Sequence, residues 1–228
     1  MNFPIEIKAI AFDLDGTLVE TLPDLYESAL RMLARLGRPA VSESIVRAYV
    51  GDGVDSLVRR LLTGPPDGEP DPDLFQKAAE DFRRHYAAVL TRASYPFSGV
   101  IPCLKTLRKC GIKLACVTNK PARFTEPLLA GLALSGYFDL ILSGDSLPRK
   151  KPDALPLVHC AQVFGIDCAN LLMVGDSPVD TASARAAGCP VFCVPYGYRG
   201  TLAVQELDCD AIVRTLPDLL DLIGLARS

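Results

Sequence analysis

The chain has 228 residues, 49% of them hydrophobic, with a formal net charge of −3. That is enough apolar material for a substantial core, and it argues against a disordered chain and against nucleic acid as a main partner, which asks for a basic excess. No apolar run reaches the ~18 residues that span a bilayer, and no basic stretch at the N-terminus leads into an apolar one, so a cytoplasmic protein with no membrane partner is expected.

In chain order, the apolar run that ends at Phe12 comes first and is followed at once by Asp13-Leu14-Asp15-Gly16-Thr17. Near-continuous hydrophobicity of this kind suits a parallel strand buried on both faces. The pattern then turns helical, predicting helices over 24–36, 43–50, 54–62 and 72–90. Gly51-Asp52-Gly53 forms a turn within this stretch, and residues 64–73, rich in Pro, Gly and Asp, form a loop. Strand and helix alternate from there on. Strands are expected at 112–117, 139–142, 171–174 and 191–194, and helices at 101–109, 124–134, 155–164 and 181–187. The alternation predicts an α/β fold, a doubly wound parallel sheet with a Rossmann-like core over 1–20 and 93–228, carrying an inserted helical domain over 21–92. Eight cysteines without a Cys-x-x-Cys pair are expected to be free thiols, and His85 and His159 show no ligand spacing.

Ligands of such sheets bind at the carboxyl ends of the strands. There the sequence puts Asp13 and Asp15 after the first strand, Thr118-Asn119-Lys120-Pro121 after the second, Lys150-Lys151 beyond the third, and Gly175-Asp176-Ser177-Pro178-Val179-Asp180 after the fourth. Asp13, Asp15 and Asp176 gathered at one edge need a divalent cation or a shared proton to offset their repulsion. Oxygen donors without His or Cys favour Mg2+. The Thr118 hydroxyl and a lysine, Lys151 rather than Lys150, complete a cradle for a phosphoryl group. Asp13 is the expected nucleophile, forming an acyl phosphate. Asp15 is the expected general acid, protonating the leaving oxygen and then serving as base for water. Asp180 is open to a simpler role as a first-turn acid.

These residues resemble the motifs of the haloacid dehalogenase superfamily: Asp13-Leu14-Asp15-Gly16-Thr17 the first, Val117-Thr118-Asn119 the second, Lys151-Pro152 the third, and the run from Gly175 to Asp180 the fourth. The resemblance implies a phosphoaspartate mechanism, with magnesium held by Asp13, the backbone carbonyl of Asp15, and Asp176, and with Asp180 supporting that site. It also implies that the helical insertion is a C1-type cap. Within the superfamily, Val50-Gly51-Asp52-Gly53 with Leu57 and Arg60, Thr118-Asn119-Lys120-Pro121 and Tyr196-Gly197-Tyr198 are similar to bacterial phosphoglycolate phosphatases. That implies a small phosphorylated metabolite, 2-phosphoglycolate, as partner, with Asn119 and Arg60 facing it and Arg60 as candidate for its carboxylate. Glu20-Thr21 departs from the Asp-Ser common at the first hinge, and Ala154 replaces a common proline. Alternatives of the same chemistry are a sugar-phosphate or amino-sugar-phosphate phosphatase and a sugar-phosphate mutase. A dehalogenase has no task for Asp15, and a receiver-like module has no use for Asp15 or a helical cap. A monomer and a homodimer both remain open.

Overall fold

A strand that is apolar along its whole length is satisfied only inside a sheet covered on both faces. β1 (Ala9–Phe12) meets that demand, with all four residues fully buried. The computed structural model describes residues 3–64 and 68–224. After β1 come a short β2 (Val19–Glu20) and four helices, α1 (Leu22–Arg35), α2 (Glu43–Tyr49), α3 (Val54–Thr63) and α4 (Pro72–Val89). The chain returns through β3 (Tyr95–Pro96) and continues with α5 (Val100–Lys109), β4 (Lys113–Val117), α6 (Ala122–Gly131) and β5 (Leu140–Leu142). It ends with α7 (Leu155–Phe164), β6 (Leu171–Gly175), α8 (Pro178–Ala187), β7 (Val191–Cys193) and β8 (Ala211–Ile212).

The main sheet has the order β5-β4-β1-β6-β7-β8, and every pair in it is parallel. Phe12 stands opposite both Cys116 and Val174. The register therefore brings Asp13, Thr118 and Asp176 out of one sheet edge at nearly one level, where the winding reverses direction. Alternate residues serve opposite faces. Ile10, Phe12, Leu114 and Val174 pack with Leu104 and Leu107 of α5 and Phe124 and Leu128 of α6. Ala9, Ala11, Ala115 and Met173 pack with Leu157 and Ala161 of α7 and Ala184 of α8.

In the insertion, Leu22, Leu25, Ala29, Met32 and Leu33 recur at helical spacing along α1. This face lies on α4, which buries Ala78, Phe82 and Tyr86. The two crossings into the insertion are stitched together. β2 pairs antiparallel with β3, Glu20 opposite Tyr95. The fully buried Asp24 accepts from Ala93 N–H at 3.0 Å, Ser94 N–H at 2.7 Å and the Ser94 hydroxyl at 2.6 Å, which satisfies a carboxylate that is costly to bury unpaired.

Three local features differ from the sequence-based expectation. The β2–β3 ribbon and β8 have two residues each, too few to show a period. α6 ends at Gly131 rather than running on to 134, because Ala133 turns to φ 55° and directs Leu134 into the core. α8 starts at Pro178, whose fixed φ suits a first turn. Of the expected 64–73 loop, residues 65–67 lie outside the described residues. Among the described residues no helix is long and apolar enough to cross a membrane, and all eight cysteines are free.

Candidate active site

Asp13 continues the β1 ladder by one bond, its N–H donating to Val174 O at 2.9 Å, and this aims its side chain off the sheet edge. Gly16 follows with φ +86°, and a Cβ there would come within 2.8 Å of an Asp176 carboxylate oxygen and 2.9 Å of the Tyr198 ring. Only glycine meets both the turn and the close approach.

Lys151 is 2% exposed, with Nζ 2.9 Å from Asp13 Oδ1 and 2.7 Å from Asp180 Oδ1. Burial alone would lower its pKa, but the charges of Asp13 and Asp180 outweigh that and hold it above the ordinary lysine value. The contact with Asp13 is an ion pair without hydrogen-bond alignment, so Asp13 Oδ1 has no aligned donor among the described residues. Asp180 is fully occupied. Its Oδ2 accepts from the N–H groups of Asp176 and Ser177, each at 3.1 Å, and from the Ser177 hydroxyl at 2.7 Å. It fixes both the lysine and the first turn of α8.

Asp176 is gripped from two sides, by the Thr17 hydroxyl at 2.6 Å and the Tyr198 N–H at 2.5 Å. Burial, helped by the charges of Asp180 and Asp13, pushes its pKa well above the carboxylate range. Burial likewise pushes Asp13 up to about 7, although the Lys151 charge opposes it. One lysine is therefore too little positive charge for this cluster. Oxygens of Asp13, Asp176 and Asp180 lie within 4.8 Å of one another. Asp180 Oδ1 holds Lys151 and its Oδ2 takes three donors, whereas each Asp176 oxygen takes one and Asp13 Oδ1 has no aligned donor, so Asp13 and Asp176 are the carboxylates that could hold a cation. An all-oxygen, anionic set with an undersatisfied Asp13 oxygen fits a hard divalent ion.

The Asp15 side chain turns away from this group. Its two oxygens receive Lys120 Nζ at 2.9 and 3.1 Å. Lys120 is 4% exposed and lies 4.7 Å from the centre of the Tyr86 ring on α4. The Thr118 hydroxyl oxygen accepts from Lys120 N–H at 3.2 Å, which leaves its own O–H for another acceptor. The Asn119 amide donates to Lys151 O at 2.9 Å and, across the cleft, to Gly51 O of the insertion at 3.2 Å. Lys150, outside the cleft, donates to Asp52 O at 2.6 Å. The 51–53 turn thus roofs the site. Gly53 sits there at φ +92°, where a Cβ would press to 3.1 Å from Asn119 O.

The structure does not bring Arg60 to Asp13. Its guanidinium donates to Tyr49 O at 3.0 Å and to the Asp52 carboxylate, bracing the roof from behind. Asp13, Asp15, Thr118, Asn119 and Lys120 line the cleft from below, and Leu25, Val50, Gly51, Gly53, Val54 and Leu57 from above. The free space between them is about 30 Å³, room for on the order of two waters.

Sequence reasoning missed the tasks of Thr17, Lys120 and Tyr198. The Tyr198 hydroxyl accepts from the N–H groups of Thr21 at 2.9 Å and Leu22 at 3.0 Å and donates to Glu20, while Arg47 lies 5.0 Å from its ring centre. The clue was Glu20 itself, an acid in an apolar neighbourhood in want of a donor.

The profile of haloacid dehalogenase-like hydrolases matches residues 10–194, a stretch that holds every residue of the Asp13–Lys151–Asp176–Asp180 cluster. The chain belongs to the haloacid dehalogenase-like hydrolase family. Within this family it is 52% identical over 217 residues to a phosphoglycolate phosphatase of Thiobacillus denitrificans, covering 95% of this chain and 96% of that one. It is 49% identical to a phosphoglycolate phosphatase of Nitrosospira multiformis, covering 98% of each. Its fold matches the crystal structure of a predicted phosphoglycolate phosphatase from Haemophilus somnus 129pt with a TM-score of 0.89 at 34% identity, covering 94% of this chain and 96% of the other. The family match stops short of Tyr198, so the clamp on Asp176 draws one of its two jaws from beyond it.

Proposed function

We propose that this protein is a phosphatase that hydrolyses 2-phosphoglycolate to glycolate and phosphate through a phosphoaspartate. The observation that carries the proposal is the Asp13 carboxylate, buried at a strand end against Lys151 and beside Asp176, with a second carboxylate, Asp15, two residues on. An Asp13 oxygen attacks phosphorus and forms the new P–O bond. The ester oxygen leaves with the electron pair of the broken P–O bond and takes a proton from Asp15. In the second half Asp15 removes a proton from water, the water oxygen attacks the same phosphorus, and the Asp13–phosphate bond breaks to restore the carboxylate. Lys151 offsets the negative charge of the phosphoryl oxygens throughout, held in place by Asp180. Thr118 donates to a phosphoryl oxygen, and Asn119 fixes the loop that carries Lys151. Asp13, the backbone carbonyl of Asp15, and Asp176 would hold Mg2+, which when bound supplies the positive charge that lets an anionic nucleophile meet an anionic ester.

The names of the relatives at 52% and 49% identity support the substrate. Residues 21–92 act as a helical cap that closes over the substrate and excludes water. Eight free cysteines fit a reducing cytoplasm.

The test is phosphate release from 2-phosphoglycolate, hexose phosphates and an amino-sugar phosphate, each with magnesium and with a chelator. Magnesium-dependent release greatest from 2-phosphoglycolate is expected. Preference for a sugar phosphate would retain the mechanism and discard the substrate, and release unaffected by chelator would discard the metal.

A further inference from the structure

We propose that Lys120, not Arg60, reads the carboxylate of the substrate and so sets specificity for it; this rests on the phosphoglycolate reading above. The substrate's own covalent geometry makes the case. In 2-phosphoglycolate the carboxylate carbon is two bonds from the ester oxygen, a separation of roughly 2.4 Å. Asp15 must come within about 2.7 Å of that ester oxygen to protonate it. Lys120 Nζ already lies 2.9 and 3.1 Å from the two Asp15 oxygens. A group tethered this closely to the atom Asp15 serves falls within the ammonium's reach.

No other cation is as well placed among the described residues. Apart from Lys151 beneath Asp13, Lys120 is the cationic side chain that lines the cleft among the described residues. Lys151 is held between Asp13 and Asp180 on the phosphoryl side. Arg60 is committed to Tyr49 O and Asp52, and Lys150 to Asp52 O. An ammonium carries three N–H donors, and Asp15 engages two of them. The face of Tyr86 covers Lys120 from the insertion, and Leu25, Val54 and Leu57 form an apolar wall over the same space. Burial of this kind strengthens a charge pair and raises the cost of leaving the cation without an anion. An ester of the same length without a carboxylate gives Lys120 no second anion beside Asp15, and that difference is the discrimination.

The experiment compares kcat/KM for 2-phosphoglycolate with that for ethyl phosphate, which has the same two carbons and no carboxylate, in the wild type, Lys120→Met and Lys120→Arg. The wild type should prefer phosphoglycolate. Lys120→Met should lower both activities, because Asp15 loses its partner, and should in addition cut the preference by about 10- to 100-fold, the worth of one charged hydrogen bond, mainly through KM for phosphoglycolate. Lys120→Arg keeps the charge and should recover part of the preference. If both esters fall together and the preference survives in Lys120→Met, Lys120 only positions Asp15 and the proposal is wrong. If the wild type itself shows no preference, the substrate reading has failed instead. A second measurement needs no variant: 3-(phosphooxy)propanoate moves the carboxylate one bond farther from the ester oxygen. The wild type should turn it over with a kcat/KM at least tenfold below that for phosphoglycolate, and equal values would overturn the geometry proposed here.

Discussion

The floor and the roof of the cleft are built on opposite plans. The floor comes from strand-end loops of the sheet and the first turn of α8, and its charged groups are locked to one another. Lys151 is shared by Asp13 and Asp180, Asp180 has three further donors, and Asp176 has Thr17 and Tyr198. The roof centres on a glycine-flanked turn held to the core, among the described residues, by two hydrogen bonds, Asn119 to Gly51 O and Lys150 to Asp52 O, with Arg60 bracing it from behind. Charges that must meet a transition state gain from being fixed in advance, because no reorganisation is then needed as the reaction proceeds. A surface that must admit and release a substrate has to be held lightly. The charges proposed to do the chemistry and to read the substrate's carboxylate sit in the tightly bonded part, and the lightly bonded part covers them.

The sharpest way to break this division is Asp13→Asn, which keeps the shape of the floor and removes its proposed nucleophile. Turnover should fall by ~10⁴-fold or more, while the melting temperature stays level or rises, because a like charge leaves a crowded cluster. Substantial residual hydrolysis would remove Asp13 from its role, and a collapse in melting temperature would show the floor to be held together by that charge. Arg60→Ala strikes the roof alone. Losing a partly exposed brace of about 1 kcal/mol should raise KM roughly fivefold, and by the same factor for phosphoglycolate and ethyl phosphate. A loss confined to phosphoglycolate would return Arg60 to the carboxylate. The smallest effect is expected at the seam between the two parts. Tyr86→Phe deletes a buried hydroxyl that has no partner among the described residues. The thermal midpoint should hold or rise by about 2 °C, and a drop of several degrees would reveal a bond to that hydroxyl.

Much of the floor was legible in the sequence because each of its pieces is consecutive. Asp13 and Asp15 follow one apolar run directly, Asp176 and Asp180 follow another within a few residues, and parallel pairing brings those runs side by side. What stayed hidden depends on partners far along the chain. Nothing near Lys120 announces that Asp15, 105 positions away, will take its charge, or that Tyr198 will hold Asp176 with its amide and Glu20 with its hydroxyl. Arg60 misled for the opposite reason. An arginine in a helical insertion looks free to reach a ligand, but Asp52, only eight residues earlier, already binds it. The ribbon of β2 and β3 escaped because two residues carry no periodicity, yet it decides how the insertion joins the sheet.

That ribbon has a consequence for how such a molecule can change over evolutionary time. The chain leaves at Glu20 and re-enters at Tyr95, its paired neighbour, so the two ends of the helical segment stand about 5 Å apart, one strand spacing. Closing so narrow a gap places almost no geometric demand on what lies between. A longer, shorter or differently folded segment could be spliced into the same gap while the sheet kept its register, as is general for insertions whose ends meet at a surface. The ribbon is a socket, and the four helices are one plug that fits it.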